Sequence, residues 1–188
     1  MEAVKEGKKV KWSIDALHSE IGFKVNHLVF ANVRGMFREF DARISPIGKD
    51  NLGSRIDLWI NAASVYTGDI KRDAHLMSVD FFDIENYQDI NFSANTYENL
   101  DNDGIFELFG ELTIKNHSGR IKLDVEFIRL IKDSFGNHKA VFSVKGKINR
   151  KDWGLNWNAA LEAGGVLVND DVWINCEVQL VRQTGGYE

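Results

Sequence analysis

Along most of this chain apolar and polar residues alternate one by one, the pattern of a strand with one buried face. Ile21, Phe23 and Val25 interleave with Glu20, Lys24 and Asn26. Ile56, Leu58 and Ile60 interleave with Arg55, Asp57 and Asn61, with Trp59 the one apolar exception. The same period of two recurs at Ile90, Phe92 and Ala94, and at Phe106, Leu108, Leu112 and Ile114. It continues at Ile121, Leu123, Val125 and Phe127, then at Ala140, Phe142, Val144 and Ile148. The last run is Val172, Ile174, Cys176, Val178 and Leu180.

One strand changes phase. Val33 and Phe37 share one parity, whereas Phe40, Ala42 and Ile44 share the other, which predicts a bulge or sharp coil near Arg38-Glu39. Two stretches do not alternate at all. Between Ala62 and Phe82, Ile70, Asp73, Ala74 and Met77 stand at helical spacing and predict a short helix. Lys151 to Asn169, rich in Trp, Asn, Ala and Gly, reads as a long connection. Turn signals at Asp101–Gly104, Lys115–Gly119 and Asp133–Asn137 separate the alternating runs.

These runs amount to about eight strands, each with one apolar face. No long amphipathic helix is available to cover that face, so the sheet must bury it against itself. A barrel does so while leaving no exposed edge. The predicted fold class is therefore all-β: a closed antiparallel β-barrel of about eight strands, with one short helix and a long loop. At this strand number the interior is either filled by side chains or holds one small guest. Alternation alone leaves both open.

Composition narrows the function classes. The chain has 188 residues, is 44% hydrophobic and 27% charged, and fits one globular domain. A net charge of -5 argues against binding a nucleic acid polyanion. No run approaches the ~20 apolar residues of a membrane-spanning helix, so no stable membrane insertion is expected. No apolar segment follows the charged first residues, which makes a cytoplasmic location the expectation. Cys176 is the only cysteine, so neither an intrachain disulfide nor a thiolate metal cluster is available.

The polar candidates are two His/Asp pairs and one arginine. Asp15 with His18, and Asp73 with His75, are residue types that serve as metal ligands or as general acid and base. Their spacing is not a zinc signature, and no Gly-x-Ser-x-Gly elbow accompanies them. The simpler reading has Asp15, His18, Asp73 and Arg150 hydrogen-bonding backbone groups where loops and helix seal the barrel ends. His75 or Arg150 at the mouth could also meet a polar or anionic lipid head group.

Several phrases in fixed order carry a resemblance to a known family. They include Trp12–Ser19, Ile21–Leu28, Val33–Phe40, Thr67, Arg72–Leu76 and Asp80–Asp83. Gly110–Lys115, Asn149–Leu155 and Val172–Ile174 complete the set. Together they resemble the YceI-like family over nearly the whole chain, and imply one barrel domain over residues 10–182 with flexible termini at 1–9 and 183–188. The resemblance implies a lipocalin-like barrel that binds polyisoprenoid or other long apolar lipids, often as a homodimer. Two positions depart from the family pattern: Gln88 follows Tyr87 where proline is usual, and Asn116 stands where glycine is usual.

The resemblance tips the interior toward a lined pocket. The expected lining is Ile21, Phe23, Val25, Phe37 and Phe40 from the first half of the barrel. Ile56, Leu58, Ile60 and Phe92 follow, then Phe142, Val144, Ile148 and Ile174. The expected function is noncatalytic binding, sequestration or transport of a long apolar lipid such as a polyisoprenoid or isoprenoid quinone. No cofactor beyond such a guest is expected, and a homodimer is the expected assembly. The alternative is an enzyme acting on a lipid-like or amide substrate through a His/Asp cluster at the barrel mouth.

Overall fold

The computed structural model describes residues 11–27, 31–47, 53–98, 104–159 and 167–183. The expected flexible termini lie outside the described residues, except that Gln183 belongs to the last strand. So do residues 101–103 of one expected turn and residues 160–166 of the long connection.

Eleven strands and one α-helix are present among the described residues. The first five strands are β1 (Lys11–Ile14), β2 (Glu20–His27), β3 (Ala31–Phe37), β4 (Phe40–Ile47) and β5 (Gly53–Asn61). A two-residue strand β6 (Val65–Tyr66) leads to helix α1 (Ile70–Met77). Then come β7 (Asp89–Glu98), β8 (Ile105–Ile114), β9 (His117–Lys132), β10 (His138–Asn149) and β11 (Val168–Gln183).

The ring runs β1-β4-β5-β7-β8-β9-β10-β11 and closes because β1 pairs with both β4 and β11. Every pairing is antiparallel, giving a closed barrel of eight strands. The remaining strands continue members of the ring. After a 3₁₀ turn at Ala16–His18, β2 follows β1 along the same edge of β11. Likewise β3 precedes β4, and β6 follows β5 after a 3₁₀ turn at Ala62–Ser64.

The expected change of phase at Arg38-Glu39 is the kink between β3 and β4. Ser64 Oγ accepts the N–H groups of Arg38 and Glu39 at 3.1 and 3.0 Å, which satisfies two donors that the broken ladder frees. Two further slips occur where the alternation ends. One lies between Ala94 and Thr96 on β7, and the other faces Val141 and Phe142 on β10. Each inserts one residue and reverses the parity beyond it. Tyr97 and Leu130 consequently face inward.

The predicted helix is present, and Asp73, Leu76 and Met77 turn toward the core whereas Ile70 and Ala74 of the expected face do not. Asp69 caps α1 by accepting from the N–H groups of Lys71 and Arg72 at 2.9 and 3.1 Å. Ile70 is 87% exposed, whereas Asp73 is buried. Asp73 accepts from Thr67 N at 2.8 Å and Thr67 Oγ1 at 2.5 Å, so it fixes the approach of the helix. The helix lies at the end of the barrel where β8 turns into β9 and β10 leads to β11, here the helix end. The opposite, termini end carries the β9–β10 hairpin and the first and last strands.

Why the barrel is hollow follows from three inward positions that carry no side chain. Gly35, Gly110 and Gly146 each fall where the alternation places an inward residue. A Cβ at Gly35 would come 2.3 Å from Phe23 Cζ, and one at Gly110 would come 2.4 Å from Phe92 Cζ. At Gly146 it would meet Leu123 Cδ2 at 2.6 Å. Large side chains from neighbouring strands thus lie across the wall instead of projecting to the axis. At Gly110 the added Cβ would also meet the Ser93 backbone oxygen at 2.7 Å. Gly110→Ala is expected to destabilise the fold by about 1–3 kcal/mol through this overpacking. Urea denaturation measures it, and an unchanged midpoint would show that β7 and β8 separate without strain.

Candidate functional site

The barrel encloses a lumen of about 970 Å³, near the top of the ~300–1,000 Å³ range of small-molecule sites. Every expected lining residue faces it except Phe40, which packs against the core without lining the cavity. Residues not expected from the sequence complete the wall: Trp12 and Ile14 on β1, Tyr97 and Leu130 beyond the slips, and Trp157 and Leu167 from the long connection. For Tyr97 and Leu130 the signal was present as an apolar side chain on the wrong parity. Cys176 also lines the lumen, and burial pushes its thiol up to about 11, which keeps it protonated and unreactive.

The charged groups of the wall lie at the helix end. Asp69, Lys71, Arg72 and His75 of the α1 region reach the lumen there, together with Arg150. His75 stands edge-on to Phe81 and Trp157, with ring centroids 5.1 and 4.5 Å away. Its Nε2 lies 2.9 Å from Asp80 Oδ2, so its carboxylate partner is Asp80 and not Asp73. Arg72 donates from Nε to Thr67 Oγ1 at 2.7 Å and from Nη2 to Thr67 O at 3.0 Å. Lys71 has no acidic partner among the described residues.

Arg150 is held by the protein itself. Its Nε donates to Asn169 O at 3.0 Å, and its Nη1 donates to Trp157 O at 2.9 Å and to Leu155 O. Its Nη2 meets Asp170 Oδ1 at 3.1 Å and Val168 O at 3.4 Å. Burial draws its pKa down from the ordinary guanidinium value, and Asp170 opposes that. One buried cation therefore ties the strand end of β10 to the start of β11. Beside it, Trp153 Nε1 donates to Leu112 O at 2.9 Å and seals the β8–β9 corner.

Asp15 and His18 are together, with His18 Nδ1 2.9 Å from Asp15 Oδ2, but outside the lumen. They sit on the outer wall at the 3₁₀ turn between β1 and β2, toward the termini end. Asp15 also accepts from the buried Lys139 Nζ at 2.7 Å. Burial pushes the Asp15 carboxyl up, but the hydrogen bonds from Lys139 and His18 outweigh it and hold the group below the usual carboxylate range. Ser19 Oγ accepts from Gln179 N at 2.9 Å and serves strand closure. The two His/Asp pairs share neither a face nor an end of the barrel. No cluster of three or more metal-ligating side chains is present among the described residues.

Comparison with known proteins agrees with the fold. The chain matches the YceI-like domain over residues 12–180. The UPF0312 protein SERP2314 of Staphylococcus epidermidis is 35% identical over 163 residues, 86% of this chain and 92% of that protein. The YCEI protein of Campylobacter jejuni is 32% identical, with 97% of this chain and 100% of that one covered at a TM-score of 0.68. A polyisoprenoid binding domain from Saccharophagus degradans shares the fold at 17% identity and a TM-score of 0.69, covering 93% of this chain and 100% of that domain. The chain belongs to the YceI-like family.

Proposed function

We propose that this protein binds a long apolar lipid in its lumen without transforming it, as a carrier or reservoir for a polyprenyl chain or an isoprenoid quinone. The observation that carries the reading is the large, apolar lumen. The lumen of about 970 Å³ is lined almost wholly by apolar side chains and is large enough for a long apolar guest. Water can fill it only by wetting an apolar wall, and an apolar guest removes that penalty. The Saccharophagus degradans domain, described as binding polyisoprenoids, supports the choice of guest through its shared fold.

Orientation follows from the wall. The tail is held by aliphatic and aromatic side chains through most of the lumen, and a polar head meets Lys71, Arg72 and His75 at α1. Arg150 is not part of that rim in function, because its donors are taken by carbonyl groups and Asp170.

Solvent extraction of the purified protein followed by mass spectrometry should recover an apolar guest. After extraction, adding a polyprenol or ubiquinone at 100 times its dissociation constant should stabilise the fold by ~2.7 kcal/mol. That corresponds to a rise of about 5–10 °C in melting temperature. A clean extract together with no thermal shift from either probe would rule the reading out.

A further inference from the structure

We infer that the termini end of the barrel docks on an anionic lipid bilayer through the β9–β10 hairpin and the neighbouring 3₁₀ turn. The docking stands by itself; only the transfer of a guest through it rests on the function proposed above.

From Arg120 to Glu126, β9 keeps polar residues on its outer face. Beyond Phe127 the strand becomes Ile128, Arg129, Leu130, Ile131 and Lys132, and Ile128 and Ile131 interrupt the run of outward polar residues. β8 pairs with β9 only as far as Glu126, so beyond the Phe127 N–H to Gly104 O bond this part of the hairpin has no ladder partner on that side among the described residues. Phe135 at its tip is 90% exposed and Leu130 is 64% exposed. Ile128 is exposed beside them. Leu17, in the 3₁₀ turn, is 93% exposed.

Elsewhere on the outer wall aromatic side chains are roofed by cations. Arg38 lies over Tyr66 at 3.5 Å, Lys24 over Trp173 at 5.0 Å and Arg120 over Phe109 at 5.1 Å. The hairpin has no such cover among the described residues, so its apolar groups are left for an outside partner.

Charge selects the partner. Two carboxylates of this face are held by one lysine: Lys139 Nζ, itself buried, lies 2.7 Å from Asp15 and 3.8 Å from Asp133. Asp133 further accepts from the N–H groups of Phe135 and Asn137 within its own turn. The same lysine thereby pins the Leu17 turn beside the hairpin. Arg129 and Lys132 remain exposed, with no acidic partner among the described residues. Apolar tips flanked by cations complement an anionic membrane surface, where each cation contributes roughly a fivefold gain in affinity.

Leu130 also lines the lumen, so the apolar wall runs without a break onto the docking face. A guest held with its head at α1 slides tail-first past Leu130 into the bilayer and comes to rest with its head at the interface. This route suits a weakly polar head, such as an alcohol or quinone, rather than a multiply charged one.

Sedimentation with phosphatidylcholine vesicles, with and without phosphatidylglycerol, tests the docking. Wild type should bind the anionic vesicles and release with salt. Arg129→Gln with Lys132→Gln should weaken that binding about thirtyfold. Phe135→Ser should weaken binding to both kinds of vesicle. All three side chains are exposed, so circular dichroism should be unchanged, and Lys24→Gln with Arg34→Gln serves as the control from another face. Uptake of a polyprenol from ethanol should be unaffected in these variants, which separates failure of docking from failure of the lumen. Docking is overturned if wild type ignores both vesicles or if the Arg129/Lys132 variant binds like wild type. It is also overturned if Phe135→Ser abolishes a dimer seen by light scattering, which would assign the patch to a second copy.

Discussion

Replacing Arg150 with methionine is expected to cost about 3–5 kcal/mol of folding stability, the range for removing one partner of a buried charged network. Arg150 is only 2% exposed, and methionine keeps the aliphatic stem while deleting every donor. The carbonyls of Leu155, Trp157, Val168 and Asn169 all lose a partner at once. Asp170 retains Lys151 Nζ at 2.8 Å, so the damage falls on the backbone acceptors. Arg150→Lys should recover only part of the loss, because three rotating donors on one atom cannot span the same carbonyls. Urea denaturation of the three proteins measures this. A loss under about 1 kcal/mol for methionine would mean that water replaces the guanidinium.

The second large effect separates binding from folding. Ala42→Phe with Val125→Phe places two rings into the lumen from β4 and β9, which lie four strands apart around the ring. Both positions line the lumen, but Val125 is also packed into the core, so the guest-free variant should stay folded at a cost of no more than about 1–3 kcal/mol from overpacking. Binding of a long guest should collapse: each ~100 Å² of its surface kept out forfeits about 2.5 kcal/mol, roughly sixtyfold in affinity. Isothermal titration with a polyprenol reads the loss. Wild-type affinity in a folded double variant would place the guest outside the barrel.

The ring itself was legible because a period of two survives in nearly every strand, and parity alone separates inside from outside. Ile21 through Val25 and Ile56 through Ile60 needed no other information. Phe40 escaped because it begins a strand at a kink, where parity restarts and the side chain turns to the core instead of the lumen. Tyr97 and Leu130 escaped because one inserted residue reverses parity, and an insertion leaves no mark except a misplaced apolar side chain. The helix shows a different limit. Over eight residues the apolar spacing leaves Ile70 and Ala74 exposed, and the inward face is the one where Leu76 and Met77 pack and Asp73 bonds to Thr67. Asp15 and His18 are indeed partners, but the 3₁₀ turn that puts them on the outer wall depends on where β11 runs, a long-range fact.

The glycines on the inner face of the wall, beneath Phe23, Phe92 and Leu123, bear on how such barrels diverge. At Gly35, Gly110 and Gly146 the wall is shaped by atoms that are missing, so a single added methyl would push Phe23, Phe92 or Leu123 off its resting place and narrow the bore. Guest length and thickness can then change from one descendant to another by the smallest mutational steps. The strand pattern, and with it the recognisable family signature, would stay the same. Relatives that look alike by hydropathy can thus take different guests, and the residues to compare first are the smallest ones.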